Sequence, residues 1–410
     1  MTASRNSVHQ KSSRAGARRS RIGIALAGGG PLAAAYEIGA LAALQESIEG
    51  LDLNDADIYV GISAGGIVAA GLANGVTPQQ MCRMFIESEQ DAASGARLRP
   101  ERLFSPAWDE LGRRAAALPH LLAGSAFDYL RRGGKTGVAH SFERVKRALP
   151  AGVISGTGIH DFLARTFAEG GRSNDFRQLS RKLVIVATDL DSGASVEFGQ
   201  PGFDHVPISR AAQAGAAVPG LFPPVEIDGR HFVDGALRKT LHASIALKEE
   251  VDLLLCLNPI VPYNGAAPAG SLAGHGLLTV LSQTLRTIIH SRLEIGMGNY
   301  ARLYPDADVL LFEPSQADAE MFFANLFSYT QRRRMCENAY QNMRLMLWQR
   351  RAALAPQLAR HGLRLKLPLL QDGSMTLVKD AGRRRRDRFA VHQLQETLQD
   401  LERYLKVAQG

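Results

Sequence analysis

Cysteine is scarce: Cys82, Cys256 and Cys336 are the three among 410 residues. Far apart in sequence and without a CxxC pair, they exclude a disulfide framework and a zinc cluster and fit a reducing, cytoplasmic compartment. Long hydrophobic runs are lacking too. No stretch supplies about eighteen uncharged apolar residues, so no transmembrane helix is expected. The leader-like stretch 22–44 fails as a signal peptide, because its apolar start breaks at Gly28-Gly29-Gly30-Pro31 and Glu37 interrupts the next segment. Aromatics are sparse at 7%, but 45% hydrophobic and 21% charged residues describe a globular chain with a deep core.

Acidic residues are absent from the beginning of the chain. Arg5, Lys11, Arg14, Arg18, Arg19 and Arg21 stand there without an Asp or Glu and supply six of the net charge of +8. The near-neutral remainder argues against a specific nucleic-acid partner. Residues 1–20, rich in Ser and Ala, read as a disordered basic tail. Such a tail acts either as a solubilising leader or as an attractor for an anionic membrane surface, giving peripheral contact.

What is present is a strand, glycine turn, helix pattern that occurs twice. The apolar run 22–27 meets the triple glycine and then a helical stripe of Leu32, Tyr36, Gly39, Ala40, Ala43 and Leu44. The run Ile58-Tyr59-Val60 leads into Gly61-Ile62-Ser63-Ala64-Gly65, followed by Gly66-Ile67-Val68-Ala69-Ala70. That context places Ser63 at a sharp strand-to-helix corner, with Gly61 and Gly65 leaving room on either side of an exposed hydroxyl. Near-continuous apolar runs at 183–187 and 251–257 suit strands covered on both faces, hence a mainly parallel sheet between helices.

The expected organisation is a tail (1–20), one α/β domain (21–350) and a small extension (351–410). Within the domain an irregular cap is expected over about 90–160 and a helical part over about 271–350. In that helical part, Leu277, Leu281, Leu285, Ile288 and Ile289 form one stripe expected to face the core. Cys336, Ala339, Tyr340, Met343 and Leu347 form another, with Arg332, Arg333, Glu337 and Gln341 opposite. Asp372-Gly373, between the segments 365–370 and 375–378, predicts a hairpin, and the arginine run 383–386 precedes a last amphipathic helix through Val391, Leu394, Leu398, Leu401 and Leu405.

A serine hydroxyl is a poor nucleophile without a base and without donors for the developing oxyanion. Gly28, Gly29 and Gly30, between a strand and its helix, offer backbone N–H groups as an oxyanion hole. The segment Gly229-Arg230-His231-Phe232-Val233-Asp234-Gly235-Ala236 presents one carboxylate at a strand end, Asp234, as the base. His231 and His242 flank it and keep a Ser-His-Asp triad open. Gly28, Gly30 and Ala33, with Asp52 or Asp55 further on, also match a loose dinucleotide fingerprint. Asp189 and Asp191 read as turn caps, and Cys82 as packing. No Asp/Glu/His cluster has metal-ligand spacing.

The triple-glycine loop, GxSxG after the next strand, and Asp234-Gly235-Ala236 together resemble the patatin-like phospholipase family. Ala187-Thr188-Asp189-Leu190-Asp191-Ser192-Gly193 and Ala217-Val218-Pro219-Gly220-Leu221-Phe222-Pro223-Pro224-Val225 resemble its connecting blocks, so the likeness covers about 22–260. It implies a three-layer α/β/α fold with a mainly parallel central sheet and C-terminal helical additions. It also implies a Ser63–Asp234 dyad, an oxyanion hole at Gly28, Gly29 and Gly30, a phospholipid or related acyl ester as substrate, and no cofactor or metal. Two departures stand out: Pro31-Leu32-Ala33 occupies the place where a basic residue usually follows the glycines, and Leu237-Arg238-Lys239-Thr240 lacks the usual Asn and Pro. They keep a second function in view, a weakly active or inactive lipid-binding regulator of the same fold. Head group, chain preference and oligomeric state have no sequence signal.

Overall fold

Strands whose side chains are apolar on both sides need cover on both faces, and the computed structural model of the chain provides it. The structure describes residues 19–86, 105–108, 112, 116, 151–264, 271–318, 322–323 and 329–378. Residues 1–18 of the expected basic tail, most of the expected cap, and the final helix lie outside them, whereas Arg19, at the tail's end, pairs with Asp55.

The strands are β1 (Ile22–Leu26), β2 (Ile48–Glu49), β3 (Ile58–Ile62), β4 (Lys182–Asp189), β5 (Ser195–Phe198), β6 (Val225–Ile227), β7 (Arg230–Asp234), β8 (Leu253–Leu257), β9 (Asp308–Phe312) and β10 (Arg364–Leu365). Eight of them form one sheet in the order β6-β7-β4-β3-β1-β8-β9, with β5 also paired to β4. The run β4-β3-β1-β8-β9 is parallel, whereas β5 and β7 join β4 antiparallel. The expected mixed α/β architecture with a mainly parallel central sheet is therefore the one observed.

The principal helices are α1 (Gly30–Ser47), α2 (Ala64–Ala73), α3 (Thr157–Phe167), α4 (Ile208–Gly215), α5 (Leu277–Leu303), α6 (Tyr329–Gln349), α7 (Arg351–Arg360) and α8 (Leu367–Gln371). Successive strand residues serve opposite cores, as the period of two requires. Ile24, Tyr59, Ile185 and Leu255 join a core with residues of α1, α2 and α6. Ala25, Val60, Val186 and Cys256 join one with Leu293 of α5 and Ile245, Ala246 and Leu247.

Helix α1 is buried nearly all round, and Gly39 is where it meets α6 most closely: a Cβ there would stand 2.1 Å from the Cys336 carbonyl oxygen. One polar residue is enclosed with it. Glu37 is fully buried, neither carboxyl oxygen has a hydrogen-bond partner, and burial pushes its pKa well above the carboxylate range. A group with a raised folded pKa adds stability below its unfolded pKa, and this is lost as pH rises through the folded value. Glu37→Met keeps the volume and removes the desolvated carboxyl, so it should stabilise the fold by about 1–3 kcal/mol, more at high pH. Thermal unfolding at mildly acidic and alkaline pH checks this; a lower Tm at both would reveal a role for the carboxyl.

Three expectations need correction. In α6 the stripe Cys336, Ala339, Tyr340, Met343 and Leu347 is buried as expected, but so are Arg332 and Glu337 of the opposite set. Glu337 accepts hydrogen bonds from the Leu377 and Val378 amides at 2.9 and 2.8 Å, so the returning chain covers that face. The expected hairpin about Asp372-Gly373 is absent: residues 367–371 form α8, and β10 pairs instead with the distant β2. In α5, Leu277, Leu281, Leu285 and Ile288 are exposed and only Ile289 is half-buried, because the helix packs through the face of Leu293, Met297 and Tyr300. The cysteines are free and buried, as expected, and Cys82 and Cys336, far apart in sequence, meet in the core with their sulfurs 3.9 Å apart.

Candidate active site

The corner after β3 has the strain its sequence predicts. Ser63 has φ 55 and ψ −127, a left-handed conformation unusual for a residue with a side chain, and α2 begins at the next residue. Gly65 permits the turn to close on β1, since a Cβ there would lie 2.4 Å from the Ala27 carbonyl oxygen. Gly61 lies against the first turn of α2, where a Cβ would come 2.5 Å from the Gly66 Cα.

Asp234 reaches the same place from β7 through the sheet register. Ile62 pairs with Val186, and the next β4 residue, Ala187, pairs with Asp234. Ser63 and Asp234 thus end up on either side of the end of β4. After Asp234 the chain crosses close over that strand, which is why a glycine comes next: a Cβ on Gly235 would sit 2.3 Å from the Val186 carbonyl oxygen.

Both side chains are buried, Ser63 at 3% and Asp234 at 4% exposure. The Ser63 side chain lies beside the Asp234 carboxylate and acts to lower its pKa. Asp234 is also held by its surroundings. Its Oδ1 accepts from the Ala236 amide at 2.8 Å, its carbonyl accepts from the Thr188 hydroxyl at 3.1 Å, and its amide donates to the Ala217 carbonyl at 3.0 Å. Desolvation pushes its pKa up to about 6, against the lowering effect of Ser63 and of the Ala236 amide.

The triple glycine lies between β1 and α1. Gly29 (φ 134) and Gly30 (φ 73) both have backbone angles that side chains disfavour, and no acidic residue occupies the first turn of α1 to compete for its N–H groups. Gly28 packs under the serine, where a Cβ would stand 2.8 Å from the Ser63 Cβ. Pro31, one of the departures from the family pattern, lies in the first turn of the helix, where its missing N–H costs no intrahelical bond.

Gly29, Gly30, Ser63 and Asp234 open onto a cavity of about 660 Å³. Its other walls are mostly apolar: Phe162 and Leu163 of α3, Leu221 and Phe222, and Leu285 and Ile288 of α5. The two helical walls have no signal in the sequence. α3 comes after a segment of poor periodicity, and the stripe on α5 reads there as core-facing.

The remaining sequence candidates fall outside this cluster. The His231 side chain is half exposed, 4.0 Å from Asp191. His242 is buried and its pKa falls to about 4, chiefly through desolvation and then through Lys239, so it is neutral, and its buried Nε2 has no hydrogen-bond partner. Neither imidazole stands between Ser63 and Asp234. Asp55 of the dinucleotide pattern is engaged by Arg19 and Arg181. Asp189 caps its turn, accepting from the Ser192 amide and hydroxyl, both at 2.7 Å, and from Arg230 at 2.8 Å. Among the described residues no three His, Cys, Asp or Glu side chains form a group able to hold a metal ion.

A family model described as "Patatin-like phospholipase" matches residues 24–247, which is more than half of the chain and includes the elbow, the glycine loop and Asp234. The chain belongs to the patatin-like phospholipase family. This patatin-like chain is also similar to solved structures. VipD from Legionella pneumophila matches at 15% identity over 80% of this chain and 66% of its own, with a TM-score of 0.36. Full-length ExoU, solved in complex with SpcU from the type III secretion system of Pseudomonas aeruginosa, matches at 17% identity over 71% of this chain and 54% of its own, with a TM-score of 0.29. The patatin-like chain thus spans less than two thirds of either protein. No helix among the described residues is long and apolar enough to cross a membrane.

Proposed function

We propose that this protein is a serine lipid acyl hydrolase in which Ser63 is the nucleophile and Asp234 its general base, acting on acyl esters of phospholipids or related lipids. The observation that carries this reading is a strained corner serine and a desolvated carboxylate brought side by side, both buried and both open to one mostly apolar cavity.

Ser63 Oγ attacks the ester carbonyl carbon while its proton passes to Asp234. The carbonyl oxygen becomes an oxyanion, held by backbone N–H groups of Gly28, Gly29 and Gly30 at the start of α1. Collapse breaks the bond to the alcohol oxygen, which leaves with the proton from Asp234, and Ser63 is acylated. A water molecule then gives a proton to Asp234 and attacks the acyl-serine carbonyl carbon; the bond to Ser63 Oγ breaks, Oγ takes the proton back from Asp234, and the fatty acid leaves. An ordinary carboxylate is a feeble base for this task, and raising Asp234 to about 6 narrows the gap.

Turnover of a soluble short-chain ester should therefore rise about tenfold per pH unit until about pH 6 and level off above it. A profile of kcat/KM with its acid limb near the ordinary carboxylate value would show that Asp234 is not desolvated in the working enzyme.

A fluorophosphonate probe tests the reading directly. Rapid labelling that disappears in Ser63→Ala supports the hydrolase. Absent labelling together with saturable vesicle binding would give the non-catalytic lipid binder, the reading that Pro31 in place of a basic residue favours.

A further inference from the structure

Helix α5 has an outer face with no role in the acyl-transfer chemistry. Leu277, Leu281, Leu285, Ile288, Ile295 and Leu303 are six of the fourteen large hydrophobic residues exposed among the described residues, each 45–72% accessible. At the helical repeat they fall in one sector of about 80°, and 27 residues extend it to a ridge of about 40 Å. The inner face is already occupied by the core through Leu293, Met297 and Tyr300.

Three observations select what covers the ridge. First, Leu281, Leu285 and Ile288 belong both to the ridge and to the wall of the cavity that holds Ser63 and Asp234. An apolar surface therefore extends from outside to the reacting groups, beside Ser282, Arg286 and Arg292 on the same cavity wall. Second, the charges of α5 are Arg286, Arg292 and Arg302 against Glu294 alone. Arg286 is half-buried toward the inner face and donates to the Val261 carbonyl at 3.2 Å, whereas Arg292 and Arg302 are exposed, and among the described residues neither forms an ion pair with a carboxylate. Third, the aromatic rings of Tyr263, Phe322 and Phe323 cluster with centroids 4.8–5.5 Å apart, Arg286 lies over the Phe322 ring at 5.1 Å, and Phe323 is exposed. Aromatic rings with a polar neighbour favour the lipid–water boundary.

An apolar ridge that carries the exposed Arg292 and Arg302 fits an anionic lipid bilayer better than a second copy of the chain, whose isologous contact would set like charges against each other. We infer that α5 seats the protein on an anionic bilayer with the cavity mouth turned toward the lipid, so that an acyl chain enters without crossing water. The orientation of the mouth rests on the hydrolase reading; the seat itself does not.

The test uses the full chain carrying Ser63→Ala, so that vesicles are not consumed, in flotation with phosphatidylcholine vesicles containing about a third phosphatidylglycerol. Leu277→Asp with Ile295→Asp charges two exposed ridge positions that lie outside the cavity wall. Partition should fall by about tenfold or more. With Ser63 restored, the same pair should leave turnover of a soluble short-chain ester unchanged. Equal flotation of the double variant and its parent would overturn the inference, as would equal binding to pure phosphatidylcholine. A parent that ignores vesicles but forms a dimer broken by the two substitutions would assign the ridge to self-association and overturn it as well. Flotation that depends on the ridge in a protein inert toward esters would refute the dyad and leave the seat standing.

Discussion

Asp234→Asn should lower ester turnover by about three orders of magnitude or more while the protein stays folded and becomes more stable above pH 6. The amide keeps the shape of the carboxylate but cannot accept the proton of Ser63. The stability gain comes from the same burial that makes the residue a base. With a folded pKa raised from 3.8 to about 6, the group contributes stability below pH 4 that is lost as pH rises through 6, and at 1.36 kcal/mol per pH unit this is on the order of 3 kcal/mol. Steady-state kinetics and thermal unfolding at pH 8 on the same preparation give both readings. A variant that is slow and also less stable would point to a structural carboxylate, and one with near-normal rates would remove Asp234 from the chemistry.

Gly28→Ala should cost about a hundredfold in kcat with little change in KM or Tm. Gly28 has no positive φ, so alanine meets no backbone strain there. It does meet the nucleophile: the new methyl would lie 2.8 Å from the Ser63 Cβ, 3.4 Å from its Oγ and 3.6 Å from the Ala236 Cβ. The serine side chain or its neighbours must shift, and a displacement of a few tenths of an ångström at a reacting atom is expensive. Gly65→Ala makes an informative contrast, because its methyl would meet the backbone oxygens of Leu26 and Ala27 at 2.6 and 2.4 Å and the fold itself must give. Full activity in Gly28→Ala would mean that the tight contact beneath Ser63 does not position the nucleophile.

The features legible from the chain are those decided within a few residues. The elbow at Ser63 arises from a strand, small residues and a helix in immediate succession, and the buried strands from runs with no polar side. Asp234 needs more, since nothing local distinguishes it from Asp189. The family resemblance selects it, and the register that pairs Ala187 with Asp234 explains why it reaches Ser63. The hairpin expected at Asp372-Gly373 fails because a turn signal does not say whether its flanks find each other, and residues 364–365 pair with β2 instead. Glu337 has the pattern of a solvent-facing residue, but the returning amides of Leu377 and Val378 cover it.

Amino-acid order alone determined the buried strands, the glycine turns after β1 and β3 and the helices that follow them, and which serine stands at a strained corner, because those depend on periodicity and backbone sterics over short distances. Tertiary structure alone decided which carboxylate meets that serine, how far burial raises it, and that the apolar stripe of α5 looks outward. Contact and desolvation depend on what segments far apart in sequence bring to the same place, and a helical stripe specifies a face without specifying its cover.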